Sequence, residues 1–193
     1  RLKNPLSAEL DVLRPTMLFG ALAAIAHNNN RQKRDLRFFE HGRIYRATAK
    51  GTVETDVLAL TITGRRYRER WRADDRRAEL MDVKEELEAV LGCLGLEHKA
   101  AWVPQHHALL GNAHALTIGG RHAGWIGEVV PAQLKAADVA QPVFFAEVEE
   151  QVLLEACRAT SVRYTEVGRF PAVRRDLSLL LNADVDFASL RNV

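Results

Sequence analysis

The chain has 193 residues, of which 47% are hydrophobic and 27% are charged, so its composition excludes disordered, collagen-like and mucin-like proteins. The 27 Lys and Arg residues oppose 25 Asp and Glu residues, and a net charge of +2 is too small to indicate nucleic-acid binding by itself. No apolar run approaches the ~20 residues that cross a bilayer, and no signal peptide opens the sequence. We therefore expect a cytoplasmic protein that does not cross a membrane, and its two isolated cysteines fit a reducing compartment.

The first third of the chain predicts one helix and several strands. Apolar residues recur at three- and four-residue steps from residue 16, and the asparagines at residues 28–30 end this helix. Short runs rich in Phe, Ile and Tyr predict strands at residues 36–39 and 42–46. Residues 57–63 are nearly all apolar or β-branched and predict a strand covered on both faces; we interpret residues 47–56 as a hairpin loop.

The rest of the chain continues this mixture of helices and strands. An apolar stripe predicts a helix over residues 80–94, which Gly95 terminates. Gly119 and Gly120 predict a tight turn between two strands. Further elements are predicted as a helix that starts at Pro131, a strand at residues 143–148, a helix at 149–156, a strand at 175–181 and a helix that opens near residue 186. Because helices and strands do not alternate regularly, we predict an α+β fold with a mainly antiparallel sheet.

The histidines are the only residues that suggest a metal site, and their spacing argues against one. The candidates among the seven histidines are His98, His106, His107, His114 and His122. Adjacent strand residues point to opposite faces, so His106 and His107 could not share an ion in an extended segment. A turn at Gly119 and Gly120 pairs Thr117 with His122 and His114 with Trp125, which separates the last two histidines. We therefore predict no metal site. The sequence also contains neither a Gly-x-Ser-x-Gly nucleophile motif nor a phosphate-binding Gly-rich loop.

One segment concentrates positive charge, and it has two interpretations. Its arginines are Arg65, Arg66, Arg68, Arg70, Arg72, Arg76 and Arg77. Such a basic loop could follow a phosphate backbone, with Tyr67 and Trp71 stacked on bases. Alternatively, it is a solvated loop paired with its own carboxylates at Glu69, Asp74 and Asp75, which the near-neutral charge of the whole chain favours.

Four motifs resemble segments of the β subunit of bacterial phenylalanyl-tRNA synthetase. Residues 4–7 read Asn-Pro-Leu-Ser and lead through Val-Leu-Arg-Pro-Thr-Met-Leu into the first helix, as in that family. Residues 38–46, Phe-Phe-Glu-His-Gly-Arg-Ile-Tyr-Arg, are similar to its Phe-Phe-Glu-x-Gly-x-x-Tyr strand. Residues 124–131, Gly-Trp-Ile-Gly-Glu-Val-Val-Pro, resemble its Ile-Gly-x-x-Gly-Glu-x-His-Pro segment. Residues 170–177, Phe-Pro-Ala-Val-Arg-Arg-Asp-Leu, resemble the opening of its anticodon-binding domain.

This resemblance implies the C-terminal part of that subunit and two domains. Residues 1–160 would form an inactive, catalytic-like core with a class II synthetase-like twisted, mainly antiparallel sheet flanked by helices. Residues 161–193 would be a linker and the truncated start of a ferredoxin-like anticodon-binding domain.

The resemblance further implies a non-catalytic structural module that packs against a catalytic α subunit in an α2β2 tetramer. The complex would attach phenylalanine to tRNA(Phe) with ATP and magnesium, whereas this segment would bind no cofactor itself. Candidate tRNA contacts are Arg65, Arg66, Arg68, Arg70, Arg72, Arg174 and Arg175.

Arg46 is the residue that the resemblance places where class II active sites hold an arginine for ATP and carboxylate oxygens. A returning strand at residues 57–63 offers this arginine no carboxylate. A site with one arginine and an apolar wall would not hold Mg-ATP. We therefore interpret Arg46 as a structural remnant of a phosphate contact and predict no catalytic residues; the alternative is an active class II-like ligase that uses Arg46.

Overall fold

A computed structural model describes residues 11–67, 76–160, 173, 175–182, 185 and 190 of the chain. The chain divides into two compact units, residues 1–162 and residues 163–193. In the second unit the prediction of a strand at residues 175–181 is wrong, because the described residues there form no regular structure and their leucines, such as Leu177 and Leu180, are exposed. Within the described residues, no helix has the length and apolarity that crossing a bilayer requires.

The first unit is built on one six-stranded sheet in which all neighbouring strands are antiparallel, in the order β1-β2-β6-β5-β4-β3. The strands are β1 (Leu36–Thr48), β2 (Gly51–Thr63), β3 (Ala100–Pro104), β4 (Leu110–Ile118), β5 (Arg121–Val129) and β6 (Val143–Glu149). The helices are α1 (Leu18–Asn29), α2 (Leu80–Cys93), α3 (Pro131–Ala136) and α4 (Glu150–Arg158). The predicted α+β class with an antiparallel sheet is therefore confirmed.

The two faces of the sheet carry separate cores. Helices α2 and α4 contact strands β2 and β5 on one face, where the predicted α2 stripe of Val83, Leu87 and Leu91 is fully buried. Helix α1 covers the opposite face with Leu18 and Leu22, together with residues from the strands beneath it. Each large apolar side chain buried in this way contributes about 1.5–3 kcal/mol, so tertiary packing holds these helices in place.

The first hairpin is longer and tighter than the sequence suggested. Strand β1 runs without interruption, and only residues 49 and 50 form the turn, since Thr48 pairs with Gly51. The Thr48 hydroxyl closes this turn by donating to the Gly51 carbonyl at 2.8 Å. The predicted loop at residues 47–56 is therefore wrong, and Glu54 and Asp56 belong to strand β2.

The second hairpin has the predicted turn, with Gly119 and Gly120 at φ angles of 58° and 80°. Thr117 pairs with His122 as predicted, but His114 pairs with Ile126 instead of Trp125. A register shift at Leu116 and Thr117 causes this difference, because it leaves one additional residue in β5. Strand β3, at the edge of the sheet, was not predicted.

Candidate functional site

An open cavity of about 210 Å³ lies on the α1 face of the sheet. Its wall is mainly apolar and is formed by Leu18, Leu109, Leu110, Trp125 and Phe145, together with Pro15. Thr16, Arg46, His107 and Glu147 supply the polar part of the lining. The cavity therefore combines an apolar surface with a few converging polar groups, as small-ligand sites do.

Glu147 holds the start of helix α1 in place. Its Oε2 accepts the Met17 N–H at 2.7 Å and the Thr16 hydroxyl at 2.9 Å. The first N–H groups of a helix have no partner within it, so this carboxylate from β6 satisfies one of them. Burial raises the pKa of Glu147, although the bonds from Met17 and Thr16 and the charge of Arg46 oppose that rise.

Arg46 reaches the same region from strand β1. Its side chain is 55% exposed, and Nη1 lies 3.7 Å from Oε1 of Glu149 at the end of β6. Its charge also acts on Glu147. The expectation that Arg46 lacks an acidic partner was therefore wrong. The carboxylates come from β6, on the far side of β2, whereas sequence reasoning examined only the strand that follows β1 along the chain.

The carboxylates of β2 serve a different arginine. Arg43 Nε lies 3.0 Å from Asp56 Oδ1, and Arg43 also bonds Glu54. Hydrogen bonds to these two carboxylates raise the pKa of Arg43. Because Arg43 and Arg46 are three residues apart on a strand, they project to opposite faces of the sheet. This acidic pair therefore does not belong to the cavity.

Trp125 contacts two histidines, an arrangement that the sequence did not predict. The centroids of the His107 and His122 rings each lie 4.9 Å from the Trp125 ring. Burial lowers the pKa of His107, and the charge of His106 adds to the effect. Trp125 and His122 approach each other because of the register shift in β5, which the sequence did not reveal. Across the described part of the chain, no three His, Cys, Asp or Glu residues form a metal-binding group.

The described residues of the arginine-rich segment, 65–67 and 76–77, lie beside the start of α2 and do not line the cavity. Arg65 and Arg77 form a β-bridge, and the Arg66 N–H donates to the Arg76 carbonyl at 3.0 Å. Arg68, Arg70, Arg72 and Arg174 lie outside the described residues, as do Glu69, Asp74 and Asp75. Arg175 is described and exposed. A tRNA contact by these arginines stays a prediction.

Two of these arginines bind a buried carboxylate on α2. Asp82, which is only 2% exposed, bonds Arg66 and accepts two bonds from Arg76 at 2.7 and 2.9 Å. It also accepts the Glu79 N–H at 2.7 Å and so caps the helix. Burial opposes ionisation of Asp82, but the bonds from Arg76 and Glu79 and the charge of Arg66 outweigh it and lower the pKa. Arg66 and Arg76 therefore share an acidic partner on α2.

The role of Glu147 can be tested through the pH dependence of stability. Because the pKa of Glu147 is raised in the folded state, the folded protein keeps a proton on this carboxylate at pH values where the unfolded chain has released it. The stability of the wild type therefore falls as the pH rises above 4.5, the ordinary pKa of a glutamate. Glu147→Gln keeps an acceptor for Met17 and Thr16 but has no titration. We expect the free energy of unfolding of the wild type, relative to the variant, to decrease between pH 4 and pH 7 in urea titrations. A constant difference across this range would contradict the proposed environment of Glu147.

Comparison with solved structures defines the class of fold. Two structures of pyrrolysyl-tRNA synthetase from Desulfitobacterium hafniense match 81% and 76% of this chain, with TM-scores of 0.59 and 0.58 and sequence identities of 18% and 16%. They match over 54% and 50% of their own chains. The sheet and its flanking helices thus have a class II tRNA synthetase-like fold, as the sequence motifs implied.

Comparison with sequences then identifies the family. The sequence model of the protein family described as the phenylalanyl-tRNA synthetase β chain CLM domain matches residues 1–149. The chain is 36% identical to the phenylalanine–tRNA ligase β subunit of Bacteroides thetaiotaomicron over 210 residues, and 34% identical to that of Pseudomonas fluorescens over 194 residues. The chain therefore belongs to the phenylalanyl-tRNA synthetase β chain family.

These matches cover all of this chain but only 25% and 24% of the two relatives. The chain thus spans about a quarter of the length of the β subunits it resembles. The matches do not support the additional expectation that this quarter is the C-terminal part of the subunit.

Proposed function

We propose that this chain is a non-catalytic structural module of a phenylalanine–tRNA ligase β subunit, with residues 161–193 as a linker and the start of an anticodon-binding domain. The module packs against a catalytic α subunit in an α2β2 tetramer in the cytoplasm. The assembled enzyme attaches phenylalanine to tRNA(Phe) with ATP and magnesium, which the α subunit binds. Membership of the β chain family supports the assignment to this complex.

The observation that carries the non-catalytic role is the charge and size of the cavity. Among the described residues that line the cavity, Arg46 is the only permanent cation, and two carboxylates, Glu147 and Glu149, lie close to it. A triphosphate needs several cationic groups or metal ions around it, whereas the charge of the one lining arginine is already offset by Glu147 and Glu149. At about 210 Å³ the cavity is also smaller than the roughly 300–1,000 Å³ of typical ligand pockets.

The use of Glu147 gives a second argument. An active site requires its carboxylates free to meet substrate or metal, whereas Oε2 of Glu147 is occupied by Met17 and Thr16 at the start of α1. The carboxylate has thus become part of the framework of the domain. Arg46 is then a structural remnant that balances the charge of the two glutamates.

The test is co-expression of this chain with the phenylalanine–tRNA ligase α subunit of the same organism. We expect the two to elute together in size-exclusion chromatography, with a mass in light scattering that exceeds that of either chain alone. The α subunit of an unrelated synthetase, expressed in the same way, is the negative control. Separate elution of a folded chain and a folded α subunit would contradict the proposal.

A further inference from the structure

Strand β1 lies at one edge of the sheet, so half of its backbone groups face away from β2. The Tyr45 N–H marks this outward side, because it donates to the Arg14 carbonyl at 2.9 Å. Successive residues of a strand direct their N–H and C=O groups to opposite sides, so those of Arg37, Phe39 and His41 also point outward. Within the described part of the chain, no residue bonds these outward groups. We call this stretch of β1 the free edge.

The free edge has an exposed phenylalanine at its centre. Phe39 is 79% exposed, although its neighbour across the hairpin, Leu60, packs against the core beneath α2 and α4. Beyond the free edge, Arg14 covers β1, since its Nε donates to the Arg43 carbonyl at 2.8 Å. A partner strand along the free edge would remove Phe39 from water, and burial of an aromatic side chain strongly favours association.

Two ion pairs flank Phe39 on the same face of the sheet. Arg37 Nη1 lies 2.6 Å from Glu86 Oε1 of α2. His41 Nε2 lies 2.7 Å from Glu150 Oε2 at the start of α4. Each side of Phe39 thus carries one basic group and one carboxylate, which does not favour a strongly acidic or a strongly basic partner. A partner with the same two pairs in reverse order would bring each carboxylate near a basic group of the other chain.

We propose that the partner is a second copy of this chain, which pairs its own free edge antiparallel to the first about a twofold axis at Phe39. This register places Phe39 opposite Phe39 and Arg37 opposite His41, so each of the three pairs exchanges two backbone hydrogen bonds. The two sheets continue as one across the interface, and the two Phe39 rings pack together. The dimer forms without an α subunit, so the failure of either experiment leaves the other interpretable.

Sedimentation velocity of the 193-residue chain tests the proposal. The chain should change from monomer to dimer as its concentration rises, with a dissociation constant of roughly 10–100 µM, because an interface of one strand per copy is small.

Hydrogen exchange, followed by NMR at about 20 and 500 µM, assigns the interface to individual amides. The outward amides of Arg37, Phe39 and His41 should exchange about threefold more slowly at the higher concentration, as the monomer fraction falls. The amides of Phe38 and Glu40 already face β2, so their exchange should not change.

Variants test whether the association uses the free edge. Phe39→Lys places two like charges opposite each other at the twofold axis and should weaken dimerisation at least about tenfold, while thermal unfolding stays cooperative. Val103→Lys is the matched control, because Val103 is 48% exposed on β3, at the opposite edge of the sheet. It should leave the dissociation constant unchanged. The proposal is overturned if the chain stays monomeric up to about 500 µM, if the outward amides exchange equally at both concentrations, or if the two lysine variants weaken association equally.

Discussion

Asp82→Ala is expected to destabilise the first unit by about 3–5 kcal/mol, the usual cost of removing one partner from a buried ion pair. The substitution leaves Arg66 and Arg76 without the carboxylate that joins them, and it removes the acceptor of the Glu79 N–H at the start of α2. Chemical denaturation followed by circular dichroism measures the change.

A matched control exists on the same helix. Glu86 also pairs with an arginine, Arg37, at 2.6 Å, but its side chain is 53% exposed. Exposed ion pairs contribute about 0–1 kcal/mol, so Glu86→Ala should cost no more than that. Equal effects of Asp82→Ala and Glu86→Ala would contradict the importance of burial at Asp82.

The pH dependence of stability, measured with a further variant, Asp82→Asn, gives an independent test. The pKa of Asp82 is lower in the folded state, so its stabilising contribution is complete above the ordinary value of 3.8 and is lost as pH falls below it. The difference in unfolding free energy between the wild type and Asp82→Asn should therefore shrink below about pH 4. If the difference in unfolding free energy grows as the pH falls, the pKa of Asp82 is not lower in the folded state.

Gly124→Ala is the second substitution with a large expected effect. A Cβ atom at Gly124 would lie 2.1 Å from the Glu147 carbonyl oxygen and 2.8 Å from the Val148 Cα. Because these are backbone atoms of the neighbouring strand, β5 and β6 must separate to admit the methyl group. We expect a loss of at least about 3 kcal/mol, or failure to fold. The separation of β5 and β6 would also displace Glu147 from the start of α1.

Gly92→Ala is the control for this prediction. Gly92 lies in helix α2, and a Cβ there would meet no atom within 4 Å. Alanine is the better helix former, so this variant should gain up to about 1 kcal/mol. The unfolding temperatures of the two alanine variants and of the wild type, measured under the same conditions, give the comparison. A Gly124→Ala protein as stable as the wild type would contradict the close approach of β5 and β6.

Local sequence patterns predicted the elements whose structure depends on local chemistry. The α2 stripe at Val83, Leu87 and Leu91 is buried as its period requires, and Gly119 and Gly120 adopt the positive φ angles of a tight turn. Pro131 likewise begins helix α3. In each case the structure is determined by residues that are close together in the sequence, so the local pattern is enough to predict it.

Features that depend on distant contacts were missed. The first hairpin extends to residues 49 and 50 because its strands continue to pair beyond the end of β6, which no local pattern records. The register shift in β5 and the edge strand β3 also arise from pairing. The acidic neighbours of Arg46 come from a strand about 100 residues later in the chain, so only the sheet order reveals them.

We propose that this family member keeps the sheet of a class II synthetase without its chemistry. Amino-acid-dependent exchange of pyrophosphate into ATP, measured with the purified chain and magnesium, tests it most directly. We predict no exchange above background with L-phenylalanine, and full exchange by an α–β complex whether Arg46 is present or replaced by alanine. Exchange by the chain alone that Arg46→Ala abolishes would contradict the claim.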